Sequence, residues 1–161
     1  MARTVNSAAC FSFAYVLLTY LLWFATGLAG RLFKFDSFVY YYGVRFILNT
    51  KSWTAYKAVV VYSAGPLAII FSALLCNFLY RNIREIRTVL NLFFVWIFII
   101  GTSIFLAQFI IAFLGIYQYD SMYYQGLAVV FAWLKFPIYL VNILNVIVVM
   151  LVIFFGSVKP T

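Results

Sequence analysis

Four apolar runs constrain this chain more than any motif in it. They cover residues 8–30, 58–80, 89–115 and 127–156. Each is at least as long as the roughly 20 residues an α-helix needs to cross a bilayer. Hydrocarbon offers no water to backbone N–H and C=O groups, so a lone crossing segment must bond them within itself, which only a helix does. The runs therefore predict an all-α integral membrane protein with four transmembrane helices in a single membrane domain, 1–161. The first run is longer than the core of a secretory signal and is expected to remain as a span. The third and fourth exceed what a bilayer requires, which predicts tilt, kinks or extension past the hydrocarbon. Pro66 and Pro137 lack a backbone donor and mark where kinks are expected.

Composition narrows the function classes. The chain is 68% hydrophobic and 9% charged, whereas a soluble domain is about half apolar and about a quarter charged. Too little polar surface exists to cover a water-soluble globule. The 11 basic residues outnumber the 3 acidic ones, but they sit mostly between the apolar runs, at headgroup level. Anchoring to lipid accounts for them without a nucleic-acid partner. No histidine is present, and the two cysteines, Cys10 and Cys76, each lie inside an apolar run. Imidazole-based zinc or copper sites and histidine-ligated haem are excluded, and the cysteines read as small buried residues. No metal site and no cofactor is expected.

Three connections join the runs. RNIREIR, 81–87, is a tight basic turn, and IYQYDSMYYQG, 116–126, is a tyrosine-rich loop on the opposite side. The longest, 31–57, is too polar for a span and too apolar for a simple loop. Its FVYYYGVRFI stretch, 38–47, is rich in β-branched and aromatic residues, with Gly43 at a turn position. It reads as an interfacial or re-entrant segment, folded as a short β-hairpin or as a surface helix. Orientation stays open. Arg3, Arg81, Arg84, Arg87 and Lys159 fall on one side, and Arg31, Lys34, Arg45, Lys51 and Lys57 on the other. The positive-inside rule does not separate five from five. A bacterial inner membrane or an organellar inner membrane is the expected location.

The end of the first run, LWFATGLAGRLF, 22–33, followed by the strand-like segment and then by Ala64-Gly65-Pro66-Leu67 in the second run, resembles the site-2 protease family of intramembrane zinc metalloproteases over residues 15–80. In that family a helix bearing H-E-x-x-H leads through small residues to a membrane-associated β-hairpin, and then to a helix with an A-G-P-L-x-N-like motif. On that alignment the zinc-binding positions are Leu22 and Thr26, and the general-base position is Trp23. The expected asparagine is Ile69. No apolar run holds an acid to serve as the third ligand, since Asp36 lies in the interfacial segment and Asp120 in a loop. Zinc hydrolysis needs about three protein ligands, an open position for water and a carboxylate to take its proton. The resemblance therefore implies a non-catalytic relative. Without kinship, the glycines and alanines mark close helix–helix approach.

Few polar residues lie within the runs. Lys135 is the one charge well inside a run, and spacings of seven and three align it with Asn142 and Asn145 on one helical face. The reading is a buried polar seam that faces protein, since no carboxylate in the spans is available to pair with Lys135; snorkelling of the lysine to the interface is the plainer account. Gln108 and Asn77 fit interhelical hydrogen bonds, Thr102 and Ser103 fit bonds to their own helix backbone, and Gly101 fits a close crossing. Arg81, Arg84 and Arg87 form a headgroup-facing patch or a docking site for an acidic partner or anionic lipid. The tyrosines and tryptophans near the interfaces fit an aromatic belt.

Taken together, these residues point to a non-enzymatic membrane subunit that binds and positions other integral membrane proteins. A small transporter or channel component, with Lys135, Asn142 and Asn145 lining a polar path, is the alternative. A lipid- or quinone-associated subunit of a larger complex is a third reading.

Overall fold

The computed structural model describes residues 2–40, 42–47, 53–82, 88–117, 126–135, 137, 140, 143, 144, 146, 147 and 150. Three long helices form its body: α1 (Ala2–Leu32), α2 (Ala55–Asn82) and α3 (Thr88–Tyr117). Each is long and apolar enough to cross a membrane. A two-stranded antiparallel hairpin, β1 (Ser37–Tyr40) and β2 (Gly43–Phe46), joins α1 to α2. A short helix, α4 (Leu127–Trp133), packs on α2 and α3.

The helices meet along narrow stripes. α1 turns Cys10, Ala14, Leu18, Leu22 and Thr26 inward at every fourth position, the repeat that keeps one face in register. α2 answers with Ala58, Val61, Gly65, Ile69, Ala73 and Cys76, and α3 with Ile97, Ile100 and Gly101. Large side chains such as Phe13, Phe24, Phe71 and Phe78 point outward. Where the outer medium is hydrocarbon, apolar contact alone does not drive helices together, and close packing must do so. Small residues supply it: a Cβ on Gly101 would stand 2.9 Å from the Ala73 Cβ. Both cysteines are free and buried, in keeping with their reading as small packing residues.

α1 changes partner along its length. Its first half is fastened to α3: the Trp96 indole N–H donates to Ser7 Oγ at 3.3 Å, the Cys10 thiol approaches the Val89 carbonyl at 3.8 Å, and Phe11 meets Trp96 edge-on at 5.1 Å. Its second half is fastened to α2 and to the hairpin.

The hairpin is seated on glycines. Its register pairs Ser37 with Phe46, Phe38 with Arg45, Val39 with Val44 and Tyr40 with Gly43. Strand side chains alternate between faces, so Ser37, Val39, Val44 and Phe46 turn to α1 while Phe38, Tyr40 and Arg45 turn away. Val39 Cγ2 lies 3.0 Å from where a Gly27 Cβ would be, and the Phe46 ring lies against Gly30. Gly27 and Gly30 thus admit a strand pair, not a neighbouring helix. Between α1 and α2, Trp53 gathers Phe35 at 4.7 Å, Phe46 at 5.3 Å and Tyr62 at 5.6 Å. Trp53 thus packs on the protein's own rings, whereas Tyr56 meets Phe33 edge-on at 6.0 Å and remains exposed, as a belt residue would.

The fourth run departs from expectation. A single continuous helix over 127–156 does not form: α4 ends at Trp133, Leu134 closes its last turn, and Lys135 takes a left-handed backbone with φ 50°. Lys135 N–H donates to the Ala132 carbonyl, as in a helix C-cap. Pro137 follows without helical structure and begins a new turn, its carbonyl accepting from Leu140 N–H at 2.9 Å. Residues 140, 143, 144, 146, 147 and 150 are helical. The expected kink at Pro137 is a break, because a left-handed residue cannot continue a right-handed helix. Pro66, in contrast, lies inside an unbroken α2.

Candidate functional site

The polar residues buried in the described bundle converge near one crossing. Thr26 and Gln108 are the buried polar side chains, at 3% and 8% exposure. Thr26 Oγ1 donates to the Leu22 carbonyl of its own helix at 2.9 Å. On α2, Gly65 lies directly against both groups: a Cβ there would stand 2.5 Å from the Leu22 carbonyl oxygen and 2.5 Å from Thr26 Oγ1. One residue on, the Pro66 ring approaches Gly126, the N-cap of α4, and Gln108 Oε1 from α3 presses on that same glycine. Gly126 has φ 58° and ψ −134°, a backbone region open to glycine at low cost. Gly65 and Pro66 of α2 therefore lie between α1 and Gly126, the glycine on which Gln108 of α3 presses.

Two positions that the site-2 protease resemblance assigns to zinc, Leu22 and Thr26, thus sit on the face of α1 that meets Gly65. They do not fit a metal ion. The Leu22 side chain is apolar, and the Thr26 hydroxyl is committed to a carbonyl in a contact with no spare space. Trp23 packs beside the core rather than into the crossing, and its indole N–H has no acceptor among the described residues. Ile69, in place of the expected asparagine, is fully buried in the apolar core. The crossing is a packing contact: it brings α2 against the α1 backbone at Gly65.

Other predicted residues fall elsewhere. Lys135 is exposed at the break after α4. Asn142 and Asn145 lie outside the described residues, and the helical alignment of all three required an unbroken helix through Lys135. Arg81 is exposed in the last turn of α2, while Arg84 and Arg87 lie outside the described residues. Ser103 Oγ donates to the Ile99 carbonyl at 2.8 Å, as its type predicts. Thr102 Oγ1 is buried with no partner among the described residues. Gly126 was not evident as a site residue, because its neighbours in space come from two other helices and leave no local pattern. A charged cavity lined by Arg31, Lys34, Asp36 and Ser37 was likewise not evident beyond the density of charges after the first run. Comparison with protein-family models, with curated proteins and with solved structures gives no match to this chain.

Proposed function

We propose that this chain is a non-catalytic membrane subunit that binds and positions other integral membrane proteins, with the 127–156 run completing a fourth, broken crossing. One observation carries the reading: the helix stops at Leu134 and Lys135, inside an apolar run, with both residues exposed. Non-helical backbone at membrane depth is tolerated where protein or a water-filled cavity covers it. A lysine in that position calls for a carboxylate or carbonyls from a neighbour. The described part of this chain offers no acid inside a helix, so the partner supplies it.

The order of a helix bearing Leu22 and Thr26, a hairpin, and a helix whose Gly65 rests on them supports descent from a site-2-protease-like ancestor. In this reading the catalytic positions have become packing positions, and what persists is a scaffold for gripping a transmembrane segment. The same break favours a second reading, a transport component, because discontinuous helices line polar paths in transporters.

Purification in mild detergent tests the proposal, with a photo-crosslinking residue at position 135 and mass spectrometry of the adduct. A stoichiometric partner whose crosslinked span contains Asp or Glu is expected, and Lys135→Leu should release it. A monomer with no adduct refutes the scaffold. Ion flux in reconstituted vesicles, abolished by Lys135→Leu, favours transport instead, and one bound zinc per chain overturns the non-catalytic assignment.

A further inference from the structure

The C-terminal end of α1 builds a cavity of about 520 Å³ lined by Arg31, Lys34, Phe35, Asp36, Ser37, Phe38 and Ile47. That volume lies in the range of small-ligand sites, about 300–1,000 Å³. Its wall is a helix terminus of defined geometry. Gly30 O accepts from Phe33 N–H and Phe35 N–H, both at 3.0 Å, and Arg31 O accepts from Lys34 N–H at 2.9 Å. This is a Schellman cap, in which the residue at the left-handed position is normally glycine. Here it is Lys34, with φ 61°. Phe35 is buried beneath, at 4% exposure, and the Ile47 N–H to Asp36 carbonyl bond at 2.9 Å closes the far side.

Three formal charges surround this one cavity, and none is neutralised: Arg31, Lys34 and Asp36 form no ion pair among the described residues. The end of α1 adds the partial negative charge of a helix C-terminus. The rim is apolar on one side, with Phe38 and Ile47 both exposed. It lies at the end of the apolar stretch Val5–Leu32, the level at which a helix that crosses a bilayer meets headgroups.

We propose that this cavity binds the headgroup of a phospholipid that carries both a phosphate and a primary ammonium group, as phosphatidylethanolamine does. The phosphate takes charge-assisted hydrogen bonds from the Arg31 guanidinium and the Lys34 ammonium. The lipid's ammonium donates to the Asp36 carboxylate, at the negative end of α1. Phe38 and Ile47 receive the first carbons of the acyl chains. An anionic headgroup without an amine leaves Asp36 facing like charge, and a trimethylated amine has no N–H to donate. The lysine in a glycine position belongs to this account, because glycine would relieve the backbone but remove a phosphate ligand.

Native mass spectrometry of the full chain in detergent tests the site, with phosphatidylethanolamine, phosphatidylglycerol and phosphatidylcholine of identical acyl chains titrated in turn. Phosphatidylethanolamine should bind best, and Arg31→Gln should weaken it about tenfold, the loss expected for one charge-assisted hydrogen bond. Asp36→Asn should erase the preference over phosphatidylcholine while retaining phosphatidylglycerol. Lys34→Gly guards against a folding artefact: it should melt at or above the wild-type temperature and yet bind the lipid about tenfold more weakly. Unchanged binding in Lys34→Gly, or an order led by phosphatidylglycerol, overturns the proposal. Equal binding of soluble phosphoethanolamine overturns its assignment to a lipid.

Discussion

Gly65→Ala probes the crossing on which the bundle depends. The added Cβ would lie 2.5 Å from the Leu22 carbonyl oxygen, about 0.9 Å short of the 3.4 Å at which ordinary contact begins. Because that oxygen belongs to the α1 backbone, no side-chain rotation relieves the clash, and α1 and α2 must move apart. Overpacking against a backbone atom falls in the upper part of the usual range, about 2–3 kcal/mol. Helix propensity works in the opposite direction, since alanine is favoured over glycine by about 1 kcal/mol in a helix interior. The net loss is about 1–2 kcal/mol, or about 2–8 °C of melting temperature for a chain of this size. Thermal unfolding in detergent, followed by circular dichroism, measures it. Gly101→Ala, whose nearest neighbour would be the Ala73 Cβ at 2.9 Å, with the Ile69 carbonyl oxygen at an ordinary 3.6 Å, overlaps less and should cost less. Thr26→Ala removes one of the two clashing oxygens, so the double variant Thr26→Ala with Gly65→Ala should be less damaged than the two single losses combined, by about 0.5–1 kcal/mol. A Gly65→Ala protein as stable as wild type, or more stable, refutes the close backbone crossing.

Further outcomes follow from the same geometry. Gly126→Ala meets both a left-handed backbone and Gln108, and should cost about 1–3 kcal/mol in thermal stability; the same loss appearing in Leu127→Ala alone would deny Gly126 a special role. Trp53→Ala removes the ring shared by Phe35, Phe46 and Tyr62, and should cost about 3 kcal/mol and raise hydrogen exchange over 37–46 ahead of the helices. Lys135→Gly should preserve or raise stability, since glycine suits φ 50°, while weakening partner recovery as Lys135→Leu does; full partner recovery would remove the ammonium from the interface.

Much of the body was legible before the fold. Hydropathy locates α1, α2 and α3, because in hydrocarbon the helix is the one solution for an isolated apolar run. The β-branched and aromatic residues of FVYYYGVRFI suit a hairpin or a surface helix, and the strand pairing, with Gly43 opening β2, decides for the hairpin. Three features escaped. The break at Lys135 is hidden because apolar residues flank it on both sides, and a lysine carries no compositional mark of a left-handed backbone. Gly27 and Gly30 announce a close approach but not its partner, which becomes apparent once the strands fold back onto α1. The Gln108–Gly126 contact joins distant parts of the chain and has no local trace.

The change of partner along α1 has a mechanical consequence. One half of the helix is bolted to α3 through Ser7, Cys10 and Phe11, and the other half to α2 through Leu22, Thr26 and the hairpin. A rod fixed to different neighbours at its two ends acts as a diagonal brace. Sliding α2 past α3 strains both fastenings at once, so force applied to either of those helices is carried across the bundle by the third.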